Sequence, residues 1–103
     1  MTHLVLEYTL ADDYLERRGE FRAEHLALLE AATERGELLA AGPLSDPFDR
    51  ALIVWRSDAR AAAEAFAASD PYVTNGVVLG WTIRTWNTVV GSAMPAPDQS
   101  VPS

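Results

Sequence analysis

The chain of 103 residues contains no cysteine and no lysine, and it has only two histidines, His3 and His25. Without cysteine the protein can form no disulfide, no thiolate zinc site and no cysteine-ligated iron–sulfur cluster. Without lysine it offers no side-chain amine for Schiff-base chemistry. Few side chains remain that can transfer protons near neutral pH, so the histidines are the first candidates for chemistry.

Positive charge is also scarce, because eight arginines face fifteen acidic residues and the formal net charge is -7. A duplex-binding role would have to overcome repulsion from the phosphate backbone, so we expect no nucleic-acid partner. No segment approaches the roughly 18 consecutive apolar residues that span a bilayer, and we expect no membrane association. The N-terminus lacks the basic and apolar regions of a secretion signal, and together with the absence of cysteine this predicts a cytoplasmic location.

The hydrophobic pattern divides the chain into six elements, read from strand and helix periodicities and from turn residues. They are strand 2–9, a helix that follows Asp13 and ends at Arg35, strand 37–41, strand 51–56, helix 59–68 and strand 77–89. The order β-α-β-β-α-β predicts an α+β fold, a ferredoxin-like sandwich with two helices on one face of a four-stranded antiparallel sheet. Residues 1–90 form one domain, and residues 91–103, rich in proline, serine and alanine, are expected to be a flexible tail.

The apolar surface exceeds what two helices on one sheet face can cover. Trp55, Trp81, Trp86 and both faces of strand 51–56 contribute to this excess. A large uncovered apolar face typically marks an interface. The sequence therefore predicts a homodimer in which the other face of the sheet packs against a second copy.

His25 and Asp70 are candidates for a catalytic pair. His25 shares a helical stripe with Phe21 and Leu28, so its ring faces the sheet or a pocket between the sheet and the helix. Asp70 follows the second predicted helix and precedes Pro71. Taken singly, each has a structural interpretation, as a hydrogen-bonded core histidine and as a carboxylate that binds turn amides. Together they would form a pair in which the acid fixes the imidazole tautomer, as a general base requires.

Four further residues are candidates for substrate binding. Arg22 lies three residues before His25 and could bind an anionic oxygen at the same mouth, although the neighbouring arginines and glutamates also fit a solvated face of paired charges. Tyr72 could donate to a substrate oxygen or pack over its turn. Gly42 and Pro43 either end a strand or form a pocket wall where the backbone approaches a ligand. The histidine spacing matches no zinc motif, so we expect no metal.

The chain resembles the YCII-related family in the order of its motifs, which are Arg22-Ala23-Glu24-His25-Leu26, Gly36 to Pro43, and Asp70-Pro71-Tyr72 followed by Gly76-Val77. The resemblance spans residues 2 to about 90 and implies a dimeric α+β barrel. It also implies a pocket in which the family's histidine and the aspartate of its Asp-Pro-Tyr motif approach each other, here His25 and Asp70. One departure is Asp49-Arg50, where many members have a small pair, so the pocket rim should differ.

One branch of that family is described as dehydrochlorinating aromatic diols, and related barrels include isomerases, cofactor-free oxygenases and small-molecule binders. We therefore expect a small cofactor-independent lyase or isomerase acting on a partly aromatic or enolisable small molecule. His25 would be its general acid/base and Asp70 would orient the ring, while Arg22 and Tyr72 would hold substrate oxygens. Two alternatives stay open: a non-catalytic small-molecule-binding accessory domain and a cofactor-free oxygenase of aromatic or polyketide substrates.

Overall fold

The computed structural model describes residues 2–91, in which four antiparallel strands form one sheet and three helices pack against one of its faces. The elements are β1 (Thr2–Leu10), α1 (Tyr14–Glu34), β2 (Leu38–Pro43), β3 (Arg50–Arg56), α2 (Arg60–Ser69), α3 (Pro71–Thr74) and β4 (Val78–Asn87). The strand order is β2-β3-β1-β4, which confirms the predicted ferredoxin-like architecture. The predicted flexible tail, apart from Gly91, lies outside the described residues. Within residues 2–91, no helix combines the length and the apolar character that crossing a membrane requires.

The core lies between the helices and the sheet. Side chains alternate across a strand, so Leu4, Leu6, Tyr8 and Leu10 of β1 all point toward the helices. Helix α1 carries the inward stripe that its sequence predicts, with Tyr14 and Ala32 buried and Phe21 and Leu28 packed against the core. The helix ends before Gly36, whose φ of 76° is a left-handed conformation that glycine adopts without strain. These contacts hold the helix against the sheet.

Strand β2 extends two residues beyond the predicted boundary. Gly42 and Pro43 were expected to terminate it, yet both pair with β3, Gly42 opposite Leu52 and Pro43 opposite Ala51. The reason is that β2 is an edge strand, where a residue without an N–H can be accommodated on the solvent side. The dipeptide therefore continues the sheet.

Residues after Asp70 form a short helix where only a turn was predicted. Pro71 is the first residue of α3, and Asp70 is its N-cap, whose side chain accepts a hydrogen bond from the backbone N–H of Tyr72. Aspartate is favoured at the N-cap and proline at the first helical position, so the local sequence is well suited to this turn of helix. The helix positions Asp70 and Tyr72 beneath α1.

The three tryptophans that were counted toward the apolar excess do not share one face. Trp55 is fully buried under the helices, with its ring centroid 5.6 Å from that of Phe66. Cross-strand partners share a sheet face, so Trp81, opposite Tyr8, also lies on the helix-covered side. Only Trp86, opposite His3, lies on the uncovered face. Side chains alternate between the two sheet faces along β3 and β4, so tryptophans that were counted together in the sequence lie on different faces.

Candidate active site

A cavity of about 140 Å³ lies between α1 and the sheet. Its wall includes the candidate residues Arg22, His25, Gly42, Pro43 and Tyr72. An apolar cavity of about 150 Å³ in another protein takes up benzene, so this volume suits one six-membered ring with few substituents. The fully buried Asp70 is not part of the wall and lies behind it.

The structure brings His25 and Asp70 into contact. The Nδ1 atom of His25 lies 2.9 Å from each carboxylate oxygen of Asp70. The carboxylate is inaccessible to solvent, whereas 12% of the histidine side chain is exposed. The middle of α1 supplies the histidine and the start of α3 supplies the acid, so the pair depends on how these two helices pack.

Two further groups hold the carboxylate of Asp70. The hydroxyl of Tyr8 donates to Oδ2 at 2.7 Å, and the backbone N–H of Tyr72 donates to Oδ1 at 3.0 Å. Burial raises the pKa of the Tyr8 hydroxyl far above its usual range, and the adjacent Asp70 raises it further. The hydroxyl therefore stays protonated and donates. A buried carboxylate is tolerated only with such partners.

This network assigns the tautomer of His25. Tyr8 and Tyr72 both donate to Asp70, so the carboxylate acts as the acceptor and Nδ1 of His25 carries the hydrogen. In the neutral ring the free lone pair is then on Nε2. That atom is not sealed in the core and has no hydrogen-bond partner within residues 2–91, and the ring lines the cavity. The arrangement presents a base to whatever occupies the cavity.

Tyr72 contributes both its ring and its hydroxyl. The ring stacks on that of His25 with centroids 3.8 Å apart and planes at 11°. The hydroxyl is buried and finds no hydrogen-bond partner among the described residues. Burial raises its pKa, and Tyr14 and Asp70 add to the shift, which Arg22 and Arg18 oppose. The hydroxyl is therefore a protonated donor without an acceptor beside the cavity.

The glutamates between the arginines of α1 are exposed, which fits the alternative of a solvated face, but little of the expected charge pairing is present within residues 2–91. Arg17 lies 3.9 Å from Asp13, and its guanidinium also donates to the carbonyl of Asn75 at 2.6 Å. Neither Arg18 nor Arg22 forms an ion pair within the described part of the chain. Arg22 is exposed at the cavity mouth with its guanidinium free to bind an anion.

The remaining rim residues have backbone roles. A Cβ at Gly42 would meet no other atom within 4 Å, so the packing around this position does not require a glycine. Asp49 and Arg50 do not line the cavity. The carbonyl of Asp49 accepts a hydrogen bond from the N–H of Leu10 at 3.0 Å, and Arg50 begins β3. Asp49 and Arg50 therefore contribute to contacts between strands and not to the cavity rim.

Tyr8 is the site residue that the sequence reasoning missed. Its signal was the alternation of residues 2–9, which places Leu4, Leu6 and Tyr8 on one buried face. A tyrosine in such a row requires an acceptor for its hydroxyl.

Among residues 2–91, no three His, Asp or Glu side chains group closely enough to hold a metal ion.

Comparison with protein families gives one match that covers most of the chain. The model of the YCII-related domain matches residues 1–87. The proteins called YciI from Escherichia coli O6:H1 and from Shigella flexneri are each 38% identical to this chain over 86 residues. These alignments cover 75% of this chain and 88% of each relative.

Solved structures show the same fold at low identity. The 5-chloro-2-hydroxyhydroquinone dehydrochlorinase of Burkholderia phenoliruptrix, in complex with 2,5-dihydroxybenzoquinone, superposes with a TM-score of 0.64 at 17% identity. That match covers 84% of this chain and 94% of the enzyme. A NIPSNAP family protein of Agrobacterium tumefaciens has a TM-score of 0.58 at 15% identity, with 91% and 93% covered.

Proposed function

This chain belongs to the YCII-related family, and we propose that it is a small cofactor-independent lyase or isomerase that acts on a partly aromatic or enolisable small molecule. The observation that carries the proposal is the hydrogen bond from Nδ1 of His25 to a fully buried carboxylate, which leaves Nε2 available at a ring-sized cavity. A base within reach of a bound molecule is the first requirement of proton-transfer catalysis.

In the proposed reaction, Nε2 of His25 accepts a proton from a carbon or oxygen acid of the substrate. The electron pair left behind moves into the substrate and forms an enolate. In an isomerisation the imidazolium returns the proton at another atom. In an elimination from a chlorinated hydroquinone it returns the proton to the carbon that bears chlorine, and loss of a second hydroxyl proton then expels chloride and leaves the quinone. Neither route requires an oxidant, because each changes only the positions of protons and electron pairs.

Three protein groups would assist that step. Asp70 stabilises the imidazolium that forms and keeps Nδ1 protonated, so it acts as a positioning residue. The hydroxyl of Tyr72, which is buried and unpaired among the described residues, and the guanidinium of Arg22 at the cavity mouth would hold the developing oxyanion. A buried hydroxyl without a partner costs about 1–3 kcal/mol, which a substrate oxygen would recover.

Elimination is supported by the fold neighbour that is a dehydrochlorinase. Its complex contains 2,5-dihydroxybenzoquinone, a single-ring compound of the size that the cavity here suits. We therefore propose 5-chloro-2-hydroxyhydroquinone as the first probe substrate. A panel of enolisable single-ring ketones, assayed for deuterium uptake from D₂O by NMR, would detect isomerase activity on other skeletons.

The experiment compares two histidine variants on the probe. Chloride release should fall at least a hundredfold in His25→Gln, as expected when a general base is removed. His3→Gln is the matched control, because His3 lies on the opposite side of the sheet, and it should retain wild-type turnover when light scattering shows the same oligomeric state as the wild type. Full turnover by His25→Gln would eliminate the mechanism.

Two other outcomes identify the alternatives. Saturable binding of the probe with neither chloride release nor deuterium exchange would favour a non-catalytic binding domain, in which Arg22 and Tyr72 still hold ligand oxygens. Oxygen uptake that accompanies probe consumption would indicate a cofactor-free oxygenase, since proton transfer alone consumes no oxygen.

We further propose that the active unit is a homodimer formed through the uncovered face of the sheet. Val5 and Val54 pair with each other on that face, and Trp86, 46% exposed, lies beside them on β4. Light scattering on an eluting peak should give about twice the chain mass of 11.2 kDa at micromolar concentration, and a monomer would contradict the proposal. The cytoplasmic location stays a prediction from the sequence.

A further inference from the structure

The cavity differs in charge from the molecule as a whole. The chain carries a formal net charge of -7, yet no carboxylate side chain of residues 2–91 contributes to the cavity wall. Asp70 lies behind the wall and is engaged with Tyr8 and His25. Among the described residues that form the wall, only Arg22 carries a permanently charged side chain. A ligand entering this cavity therefore meets positive charge on a protein that repels anions elsewhere.

A second cation stands beside the mouth. Tyr14, Arg18 and Arg22 follow each other at four-residue steps on α1 and so lie along one side of the helix. The Cζ atom of Arg18 lies 5.5 Å from the centroid of the Tyr14 ring, and that ring lines the cavity. The contact is within the range of a cation–π interaction, which holds the guanidinium at the rim without neutralising it.

Within residues 2–91, both arginines lack the acidic partners that four of the other six arginines have. Arg17, Arg35, Arg56 and Arg84 each lie within 3.9 Å of a carboxylate oxygen. Neither Arg18 nor Arg22 has such a neighbour in residues 2–91, although glutamates are frequent along α1. Two adjacent guanidinium groups without counter-charges repel each other, and an anion between them would relieve that repulsion.

We propose that Arg18 and Arg22 form an anion-binding subsite at the cavity mouth, and that the ligand is a single-ring compound bearing a carboxylate. The ring would fill the cavity of about 140 Å³ and the carboxylate would extend toward the two arginines. Planar guanidinium groups bind carboxylates through paired hydrogen bonds, which a neutral amide cannot replace. This inference rests on the proposed function only in taking this cavity as the ligand site.

The test measures equilibrium binding of benzoate and of its neutral isostere benzamide, by ¹H–¹⁵N NMR titration. Wild-type protein should bind benzoate more tightly than benzamide, with the largest shift changes at amides around the cavity. Removing a hydrogen bond to a charged group at the wall should weaken benzoate about tenfold in Arg22→Gln. Arg18→Gln should lose about three- to fivefold, because Arg18 lies beside the mouth and not in the cavity wall, so its ion pair with the ligand is weaker.

Two matched variants separate this subsite from a general effect of charge. Arg60→Gln removes the same charge from α2, outside the cavity wall, and should bind benzoate like the wild type. Arg18→Lys restores a cation and should recover part of the affinity. Benzamide binding should be insensitive to Arg18→Gln, and raising the salt concentration should weaken benzoate alone.

Several results would overturn the subsite. These are equal affinity for the two probes, wild-type benzoate affinity in Arg18→Gln, an equal loss in Arg60→Gln, or no saturable benzoate binding. The assay needs no turnover, so its outcome does not depend on catalysis. Binding through Arg18 in a protein that catalyses nothing would therefore contradict only the proposed function, and turnover of probes without preference for benzoate would contradict only the subsite.

Discussion

The two histidines lie on opposite sides of one sheet and have different partners. Each uses Nδ1 in a contact of 2.9 Å, His25 with the carboxylate of Asp70 and His3 with the hydroxyl of Thr88. The carboxylate is fully buried and held by two other donors, and the ring of His25 is stacked on Tyr72. The ring of His3 is tilted by 51° against Trp86 at 6.2 Å.

The difference shows how a partner determines what a histidine can do. A hydroxyl can donate or accept, so Thr88 is compatible with either tautomer of His3. A carboxylate held by donors only accepts, so Asp70 requires the hydrogen on Nδ1 of His25 and leaves Nε2 as a base. The carboxylate of Asp70 therefore determines the chemistry that His25 can perform.

The largest effect on stability and turnover is expected when the negative charge of Asp70, the partner of His25, is removed. Asp70→Asn places an amide where three donors converge, so one of them must lose its acceptor and the tautomer of His25 is no longer fixed. Breaking a buried charged network should lower the free energy of unfolding by about 3 kcal/mol. A wrong tautomer should lower turnover about a thousandfold. Urea unfolding and chloride release measure the two effects.

Removal of the hydrogen-bond partner of His3 provides the control. Thr88→Val removes the hydroxyl that contacts His3, and its cost should be about 1 kcal/mol or less with turnover unchanged. Similar losses in Asp70→Asn and Thr88→Val would mean that the two histidines do not differ in the way proposed here.

The next effect tests whether Tyr8 positions the acid. Tyr8→Phe removes only the hydroxyl that donates to Oδ2, which should cost about 1–2 kcal/mol of folding free energy. A carboxylate with one donor fewer is held less firmly, so the ring of His25 is less well positioned and kcat should fall while KM stays the same. A folded variant with wild-type kcat would show that the Tyr8 hydroxyl does not position the acid.

Much of this arrangement follows from the sequence, and the part that does not depends on long-range register. The helical stripe and the Asp-Pro dipeptide made His25 and Asp70 candidates for a pair, and the resemblance to the YCII-related family implied that the two approach each other. The role of Tyr8 depends on where β1 lies relative to α1 and α3, which local periodicity does not specify. Four residues are also too few to show a helical period, so α3 was missed. Strand β3 is apolar at alternating positions of both sets, so the face of Trp55 could not be assigned.

A smaller effect concerns alkaline pH. The folded-state pKa of Tyr8 is raised above its ordinary value of 10, so above that pH the unfolded chain loses a proton that the folded chain retains. Stability must then fall as pH rises, by at most about 1.4 kcal/mol per pH unit for one such group, and below pH 10 the group contributes no slope. Urea unfolding at pH 9 and pH 11 should show a shallower decline in Tyr8→Phe. Equal declines would contradict the role of burial.

The smallest change in stability is expected for Tyr72→Phe. Like Tyr8→Phe, it removes a buried tyrosine hydroxyl. Tyr72→Phe keeps the ring that stacks on His25 and deletes a hydroxyl that has no partner within residues 2–91. The free energy of unfolding should stay within about 0.5 kcal/mol of wild type or rise, since no hydrogen bond is lost. Turnover of the chlorinated probe should nevertheless fall about tenfold or more, because the oxyanion loses a donor. Tyr8→Phe and Tyr72→Phe thus form a matched pair in which stability and turnover respond in different proportions. If Tyr72→Phe were destabilised as much as Tyr8→Phe with turnover intact, its hydroxyl would be a structural group and the cavity would lack its second oxyanion donor.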